Sequence, residues 1–527
     1  MSRHLSRRTI LKGAAAIGTV GIAPQVSASV ASERFVIDTG NRVSDIDRMR
    51  IRHAGLEIVH DIIPVGYVVV RGDQSAVDSL RYDAAPDIRL ELTSLHDPVD
   101  IDSVQSPVEH SDTPAFESTE VAPEQPAFWE LQWDKITQDL PTVFGMFDDA
   151  GILPGEGTRV AIIDTGIDPD HPDLPNVHPG HSINVTGDGP LDAWGDFNGH
   201  GTHVAGIVGA AGAGVIGTAP ATELVSVRFF SPVEGFIGDL LYSVVYSAAA
   251  EDELVSLIIG GEEVEVTGAG CDVINTSLGF SPPLPKSRIV LEFFNLSYEV
   301  AADFATDRGV TWVASAGNDA TDTIRDNTIA GPAFLDSVLA VSATGPIGWL
   351  WGSEEFDVPP GFELAEDTTT PSYYTEHGES YIDISAPGGD LHIDAFLADV
   401  EEVVQDWVPN TFPGGYAYLL GTSMAAPQAA GLAALLKSAN PTLTPAGIRQ
   451  TIKASANDTG TATYHGFGFI NPVAAIAGED PVHSRRDRAQ HGGRDDRDRS
   501  ATMGGGGGSA TRGGRSSGST SGRSTHR

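Results

Sequence analysis

A series of short, uninterrupted apolar runs between residues 128 and 478 limits the fold more than any other feature of the sequence. A strand with one face in water alternates apolar and polar residues, whereas an uninterrupted run is typical of a parallel strand covered on both faces. Helix-compatible segments lie between the runs, which is the order of an α/β domain. The predicted strands are 159–164, 224–230, 273–278, 310–316 and 338–342, and the predicted helices are 201–211, 238–251, 289–308, 422–438 and 444–455. The sequence therefore predicts helices around a mostly parallel central sheet.

The residues outside this region differ from it in composition. Segment 1–31 has a twin-arginine pair followed by an apolar stretch at 13–22, which predicts a twin-arginine export signal. The apolar stretch is shorter than the roughly 20 residues that span a bilayer, so no stable membrane insertion is expected. Strand-like and helix-compatible runs in 32–97 predict a small α+β domain. The Asp-, Glu-, Ser- and Pro-rich segment 98–127 predicts an exposed acidic linker, and the Arg-, Gly- and Ser-rich segment 479–527 predicts a disordered tail.

The net charge argues against nucleic acid as a partner and for a salt-rich environment. The 527 residues include 72 acidic and 32 basic ones, for a formal charge of −40, and only five are lysines. Phosphate backbones repel such a chain, so nucleic acid is not an expected partner. Self-repulsion destabilises so acidic a fold in dilute salt, whereas molar salt shortens the screening length to about 3 Å. We expect a salt-loving source; the alternative, an ordinary acidic exported protein, would keep its fold in low salt. Cys271 is the only cysteine, so no disulfide forms within the chain.

Two motifs place candidate catalytic side chains at the ends of predicted elements. Asp164 follows an apolar run, at the carboxyl end of a strand, where open α/β sheets collect their sites. His200 lies at the start of a helix of small residues, which suits a fixed and accessible general base. Together they indicate acid–base chemistry.

Each motif also has a competing interpretation. Asp38 lies in a second Asp-Thr-Gly sequence, so an aspartic protease with Asp38 and Asp164 as its acid pair is the main rival. Asp38, however, belongs to the small N-terminal domain, and the α/β order does not suit the all-β lobes of such enzymes. His203 could form a metal pair with His200, but no third ligand is evident, and a role in helix packing is favoured.

Two further polar residues lie at the start of a helix and at the end of a strand. Ser423 precedes the apolar run 431–436, which places its hydroxyl at the N-terminal end of a buried helix. A helix-capping serine would show the same spacing. Asn318 follows the strand at 310–316, and its amide could donate a hydrogen bond to a developing oxyanion, although asparagine is also common in turns.

Taken in chain order, Asp164, His200 and Ser423 resemble the catalytic residues of the subtilisin-like serine proteases (subtilases), among them extracellular proteases of halophilic archaea. The resemblance spans about 350 residues. The motifs that carry it are Asp-Thr-Gly-Ile-Asp at 164–168, His-Pro-Asp-Leu at 171–174, His-Gly-Thr-His-Val-Ala-Gly at 200–206, Thr-Ala-Pro at 218–220, Ser-Leu-Gly at 277–279, Ala-Ser-Ala-Gly-Asn at 314–318, Ala-Pro-Gly at 386–388, Gly-Thr-Ser-Met-Ala-Ala-Pro at 421–427 and Gly-Phe-Ile-Asn at 468–471.

The resemblance implies a three-layer subtilisin-like fold and a secreted serine endopeptidase. Ser423 would be the nucleophile, His200 its base, Asp164 the residue that orients the base, and Asn318 an oxyanion donor. Residues 32–97 would be a propeptide that assists folding and inhibits the enzyme, with self-cleavage in the linker at 98–127. The expected partners are protein or peptide substrates and the chain's own propeptide, with the enzyme itself a monomer.

The resemblance also implies a substrate pocket and raises the question of calcium. No cofactor is expected for the chemistry. Asp173 matches a family calcium ligand, which predicts structural calcium there, although the usual companion ligands are missing from this sequence. The pocket for the residue before the cleaved bond shows no evident charge, which predicts a preference for large apolar residues. Its predicted lining is Ser277, Leu278, Gly279, Ala314, Ser315 and Ala316, with the region near Ala330. The alternative function is an exported binding protein that keeps the fold without turnover.

Overall fold

The computed structural model describes residues 26–478, apart from 41, 93–98, 102–124, 233, 256, 260–261, 350, 352–363, 366 and 398–399. Residues 1–25 of the predicted export signal, most of the predicted linker and the predicted tail at 479–527 lie outside the described residues. Two regions are distinguished below: the N-terminal unit, residues 26–92, and the main domain, residues 125–478.

The N-terminal unit is an antiparallel sheet with two short helices. Its elements are β1 (Val26–Asp38), α1 (Asp45–His53), β2 (Glu57–Ile62), β3 (Tyr67–Arg71), α2 (Gln74–Ser79) and β4 (Asp83–Leu92). The four strands lie in the order β2-β3-β1-β4. The predicted α+β composition is confirmed. Strand β1 begins at Val26, inside the predicted signal, so the predicted boundary at residue 31 is not a boundary of secondary structure.

The period of two along β1 divides its side chains between two cores. Phe35 and Ile37 pack with the unit's own helices, whereas Val36 packs into a core shared with the main domain. Strand β3 repeats the pattern, with Val68 on the first side and Val69 on the second. Because successive strand residues point to opposite faces, one sheet covers its own helices and also docks on the main domain.

The main domain alternates strands and helices as predicted. Preceded by β5 (Val99–Asp100), its elements are α3 (Trp133–Thr137), α4 (Leu140–Ala150), β6 (Arg159–Asp164), β7 (Ile183–Asn184), α5 (His200–Gly209), β8 (Glu223–Arg228), β9 (Gly235–Phe236), α6 (Ile237–Ala248), β10 (Leu257–Ile259), β11 (Glu262–Val264), β12 (Val273–Thr276), β13 (Leu284–Pro285), α7 (Arg288–Asp307), β14 (Thr311–Ser315), β15 (Thr328–Ile329), β16 (Leu339–Thr344), β17 (Ile384–Pro387), α8 (Ile393–Leu397), β18 (Val408–Phe412), β19 (Gly415–Leu419), α9 (Thr422–Ala439), α10 (Pro445–Ser455), α11 (Ala462–His465) and α12 (Pro472–Ala477).

The central sheet has seven strands in the order β17-β16-β14-β12-β6-β8-β7, all paired in parallel. All five predicted strands are present, with ends shifted by at most two residues. Strands β7 and β17 were not predicted, because the first has only two residues and the second ends in a proline, which argues against a strand unless it lies at an edge. The parallel register brings the carboxyl ends of β6, β12 and β14 to one edge of the sheet.

Helices cover both faces of this sheet, which confirms the three-layer fold. Helices α5 and α9 pack in the core on one face, and α6 and α7 pack in the core on the other, where they also meet the sheet of the N-terminal unit. Helix α9 is buried from Thr422 to Leu436. A helix that is apolar all round belongs in a protein core, so side chains in the first turn of α9 are held rigidly.

A buried lysine ties the start of the main domain to both central helices. Lys135 Nζ donates to Ile207 O at 3.1 Å and to Gln428 Oε1 at 2.6 Å, and lies 3.3 Å from Asp134. Burial lowers the pKa of Lys135 to about 8 despite that carboxylate. Since Ile207 lies in α5 and Gln428 in α9, this network fixes the spacing of the two helices.

Strand β5 corrects the expectation of a fully exposed linker. Val99 and Asp100 pair in antiparallel fashion with Tyr418 and Ala417 of β19, and Ile101 is buried. The β18–β19 hairpin itself was not predicted. Within the described residues, no helix combines the length and apolarity that a membrane crossing requires.

Candidate active site

Asp164 and His200 form a buried pair at the carboxyl edge of the sheet. His200 Nδ1 lies 2.7 Å from Asp164 Oδ1, and the two residues are 3% and 2% exposed. The close approach of α5 to β6 requires glycine at position 201, because a Cβ there would lie 2.1 Å from Gly166 O. His200 Nε2 is buried without a hydrogen-bond partner among the described residues. The imidazole is therefore oriented through one nitrogen and free to accept a proton at the other.

Asp196, which the sequence did not single out, organises the loop that leads to His200. Its Oδ1 accepts from Thr165 Oγ1 and from the backbone N–H of Gly199, both at 2.9 Å. Its Oδ2 accepts from the backbone N–H and the hydroxyl of Thr202. This carboxylate acts at the N-terminal end of α5, where free N–H groups favour an acid. The sequence feature that could have identified this residue is the position of Asp196, four residues before His200.

Ser423 lies in the first turn of α9, 3% exposed, at the same edge of the sheet. Its hydroxyl donates to Ser277 O at 3.1 Å, and Ser277 Oγ donates in return to Ser423 O at 2.8 Å. The structure thus joins the predicted nucleophile to the predicted substrate-binding strand end. In this state the hydroxyl is directed to Ser277 and not to His200.

The orientation of the Asn318 side chain follows from its partners. Asn318 Oδ1 accepts from the backbone N–H of Thr422 at 2.9 Å and from the Thr422 hydroxyl at 2.8 Å. Two donors identify that atom as the oxygen, so Nδ2 is the atom directed away from Thr422. The Asn318 amide is thus fixed to the residue before Ser423, with its N–H groups free to donate a hydrogen bond beside the nucleophile. Thr422 is a second residue that the sequence did not single out.

A narrow crevice adjoins Ser423 and Asn318, between the ends of β12 and β14. Of the predicted lining, Leu278, Gly279 and Ser315 lie on the crevice, and Ser277 contacts the nucleophile from beside it. Ala314 and Ala316 are fully buried in the core behind it. Residues that the sequence did not assign complete it: Phe280, Ser281, Gly317, Asp319 and Thr422.

The crevice is charged, which is contrary to the expectation of an uncharged pocket. Asp319 lies on the crevice; burial raises the pKa of Asp319 to about 6, although Ser281 Oγ donates to it at 2.9 Å. Glu376 is fully buried behind Gly317, and neither of its carboxylate oxygens has a hydrogen-bond partner among the described residues. Burial, with the nearby Asp319, raises the pKa of Glu376 well above its ordinary value. Neither acid was recognisable in the sequence, because only the tertiary fold brings them together.

The structure supports neither a metal pair at His203 nor an aspartic protease pair at Asp38. His203 is fully buried, and its Nε2 lies 3.1 Å from both Val408 O and Ala417 O of the hairpin. Burial lowers the pKa of His203 to about 3, so it is neutral and serves in packing, as favoured. Asp38 lies at the end of β1, where it accepts from Gly40 N at 2.7 Å, and is no partner of Asp164.

Asp173 does not suit a calcium ion. Its Oδ2 accepts from the N–H groups of Gly214 and Val215 at 2.8 and 3.0 Å and from the Tyr416 hydroxyl at 2.9 Å, and its Oδ1 accepts from the N–H of Ala213. Calcium needs six to eight oxygen ligands, whereas these neighbours offer hydrogens. The prediction of a calcium ligand at Asp173 is therefore not supported. No group of three or more possible metal ligands occurs within the described residues.

Comparisons with known proteins agree with this geometry. The sequence profile of the subtilase family matches residues 155–469. Subtilisin Savinase of Lederbergia lenta is 33% identical over 326 residues, which are 61% of this chain and 92% of that protein. The thermophilic serine proteinase of Bacillus sp. (strain AK1) is 31% identical over 327 residues, 61% of this chain and 62% of that protein. The epidermin leader peptide processing serine protease of Staphylococcus aureus shares the fold with a TM-score of 0.61 at 20% identity, over 85% of this chain and 99% of that one.

Proposed function

Because the chain belongs to the subtilase family of serine-type endopeptidases, we propose that it cleaves peptide bonds with Ser423 as nucleophile, His200 as base and Asp164 as the residue that orients the base. The observation that carries the assignment is the 2.7 Å contact between His200 Nδ1 and Asp164 Oδ1, with the second ring nitrogen left free beside the edge that holds Ser423. A base held through one nitrogen keeps the tautomer that can accept a proton at the other.

The reaction follows from these positions. The Ser423 hydroxyl turns from Ser277 O to His200 Nε2, which takes its proton as Oγ bonds to the substrate carbonyl carbon. Catalytic hydrogen bonds are often absent before substrate binds. His200 then gives that proton to the leaving amine as the peptide bond breaks. Water releases the acyl group by the same steps, with His200 again as base.

Asn318 supplies a donor to the developing oxyanion. Its oxygen is occupied by Thr422, so its N–H groups are the ones available, and the N–H of Ser423 is the second proposed donor. Donors that are already oriented need no reorganisation when charge develops, and the loss of one such donor typically costs about 10²- to 10³-fold in rate.

The N-terminal unit is proposed to be a propeptide. Its sheet packs on α6 and α7, and β5, at the start of the predicted linker, pairs with β19 of the main domain. These contacts support a precursor in which the unit is docked before cleavage. Self-cleavage, export by the twin-arginine route and action in high salt are parts of the same proposal, supported by the N-terminal motif and the charge of −40.

Labelling and turnover together test the function. The full chain, produced and assayed in high salt, should hydrolyse casein, and a fluorophosphonate should label Ser423 and stop the reaction. Ser423→Ala should lower turnover by about 10⁶-fold, the loss typical of a subtilisin without its nucleophile, and should accumulate the uncleaved precursor. Ser438→Ala, on the same helix, is the matched control and should leave activity unchanged.

If the protein is instead an exported binding protein without turnover, the opposite results are expected. It would show neither labelling nor casein hydrolysis, and Ser423→Ala would mature as the parent does in a host without other proteases. Either result would refute the catalytic assignment.

A further inference from the structure

Glu376 is a buried acid whose charge nothing in the described chain balances. Its side chain is 0% exposed, and both carboxylate oxygens lack a hydrogen-bond partner among the described residues. A side chain that has lost water and gained no partner is costly, and such groups are commonly reserved for a ligand or forced to take up a proton. The buried acid is therefore a candidate for binding.

The position of Glu376 relates it to the crevice. A Cβ added to Gly317 would lie 2.7 Å from Glu376 Cδ and 3.0 Å from Oε1, so the carboxylate packs directly against the glycine that lines the crevice. Only a residue without a side chain, here at φ 114°, leaves this acid so near the crevice.

Asp319 adds a second acid from the crevice wall. One of its oxygens accepts from Ser281 Oγ at 2.9 Å, and the other, Oδ2, is buried with no partner among the described residues. Within the described part of the chain, no ion pair joins a Lys or Arg to either acid. Asp319 thus lies on the crevice and Glu376 lies directly behind its Gly317 wall, and the two acids together have three unpartnered oxygens and no cation among the described residues.

We propose that this crevice binds the cationic side chain of an arginine or lysine that precedes the cleaved bond, with Asp319 and Glu376 as the residues that recognise it. The crevice adjoins both Ser423 and Asn318, so the side chain it admits belongs to the residue whose carbonyl is attacked. A cation placed there pairs with the free oxygens and restores both acids to their ionised forms. The proposal rests on the proposed function and names its substrate class.

The shape of the crevice is consistent with a thin, extended side chain. Leu278 and Phe280 give it an apolar wall, and its free volume is about 10 Å³, room for about one water molecule. Any side chain must widen it, but the methylene stem of Lys or Arg needs less widening than an aromatic ring. Such stems lie readily along apolar surface while the charged end reaches a polar partner.

Peptides that differ only in the residue before the cleaved bond test the proposal. The mature enzyme, made from the full chain, should cleave Arg and Lys peptides with kcat/KM at least about tenfold above the Phe peptide. Asp319→Asn and Glu376→Gln should each lower the Arg-to-Phe ratio by about 30-fold or more, as expected when one partner of a buried charge pair is lost. The ratio isolates recognition of the side chain, because a general loss of activity lowers the Arg and Phe rates equally.

Asp326→Asn is the matched control, since it removes the same charge from the same loop at an exposed position. It should leave the ratio unchanged. The preference should also persist in molar salt, because buried pairs are screened less than exposed ones.

The outcomes separate the two proposals. A wild-type Arg-to-Phe ratio of one or less, or a ratio that neither variant alters, overturns the cation site while leaving the peptidase intact. Failure to cleave any peptide, with no labelling of Ser423, overturns the proposed function instead. If Glu376→Gln does not fold, Asp319→Asn and the wild-type ratio still decide, because Asp319 is only half-buried and tolerates the change more readily.

Discussion

Two pairs of acids, one where the N-terminal unit meets the main domain and one beside the nucleophile, differ in whether a cation balances their charge. Asp87 of the N-terminal unit and Asp239 of α6 meet where the two regions join, and Arg34 donates to both, at 2.8 Å to Asp87. His60 also contacts Asp239 and stacks on Tyr242. Asp319 and Glu376, beside the nucleophile, have no such cation within the described residues.

The difference in pKa is clearest between Asp239 and Glu376, because burial raises the pKa of Asp87 even beside Arg34. Burial alone would raise the pKa of Asp239, but Arg34 and His60 hold it below the ordinary value. Burial raises the pKa of Glu376, and Asp319 raises it further. Arg34 lies in the unit proposed to be cleaved away, so Asp239 of the main domain already receives its cation from a separate segment. The other, we infer, receives it from substrate.

Removing Arg34 should give the largest loss of stability, because Asp87 and Asp239 would then lack their arginine, as Asp319 and Glu376 lack a cation. Arg34→Leu, made in the Ser423→Ala chain so that the unit stays attached, leaves Asp87 buried with hydrogen bonds from the N–H groups of Ile88 and Gly238, and Asp239 buried with His60. Loss of one partner of a buried ion pair typically costs about 3–5 kcal/mol. Chemical denaturation in high salt should show that loss in the free energy of unfolding of the precursor.

Arg50→Leu is the control for this prediction, since Arg50 lies in the same unit, is largely exposed and sits 4.0 Å from Asp47. An exposed pair contributes at most about 1 kcal/mol. Equal losses in the two variants would show that the buried pair is not what holds the unit in place.

Asp319→Asn should act in the opposite direction and should stabilise the protein. The folded-state pKa of Asp319 is about 6 and its ordinary value is 3.8, so between these values the folded state binds more protons and loses stability as pH rises. Asparagine cannot titrate. The variant should match the parent near pH 4 and exceed its free energy of unfolding by about 1–3 kcal/mol at pH 7.

Denaturation curves taken across that pH range supply the measurement, with Asp326→Asn as the exposed comparison that should show no such trend. A difference that is already present at pH 4, or a less stable variant at pH 7, would mean that Asp319 has a partner in solution.

A structural feature could be predicted from the sequence when the residues that reveal it lie close together in the chain. Asp164, His200, Ser423 and Asn318 lie in short motifs at the ends of strongly patterned elements, so both the fold and the proposed catalytic residues were predictable. The hairpin at 408–419 was not, because its short strands have no distinctive period.

The acids beside the crevice were beyond sequence reasoning for a different reason. Asp319 and Glu376 are separated by 57 positions, and an acidic residue in so acidic a chain is expected on the surface. Their burial is a property of tertiary packing around Gly317. The hydrogen-bond partners of Asp173 were hidden for a related reason, because the backbone N–H groups that donate to it come from a loop of apolar residues with no polar side chain to reveal them.

The smallest expected effect is the change of substrate preference with pH, which tests whether the charge of Asp319 attracts the substrate cation. As pH falls through about 6, Asp319 takes up a proton and its attraction for a cation is lost. Among the residues that the structure describes, Ser281 and Tyr381 interact with the two acids, and neither supplies a competing cation. The Arg-to-Phe ratio of kcat/KM should therefore fall by up to about tenfold between pH 8 and pH 5. The ratio cancels any change in overall activity with pH, because both peptides depend equally on the same catalytic residues. In Asp319→Asn the ratio should change less with pH than in the parent, and a slope equal to that of the parent would assign the titration to another group and remove Asp319 from the recognition site.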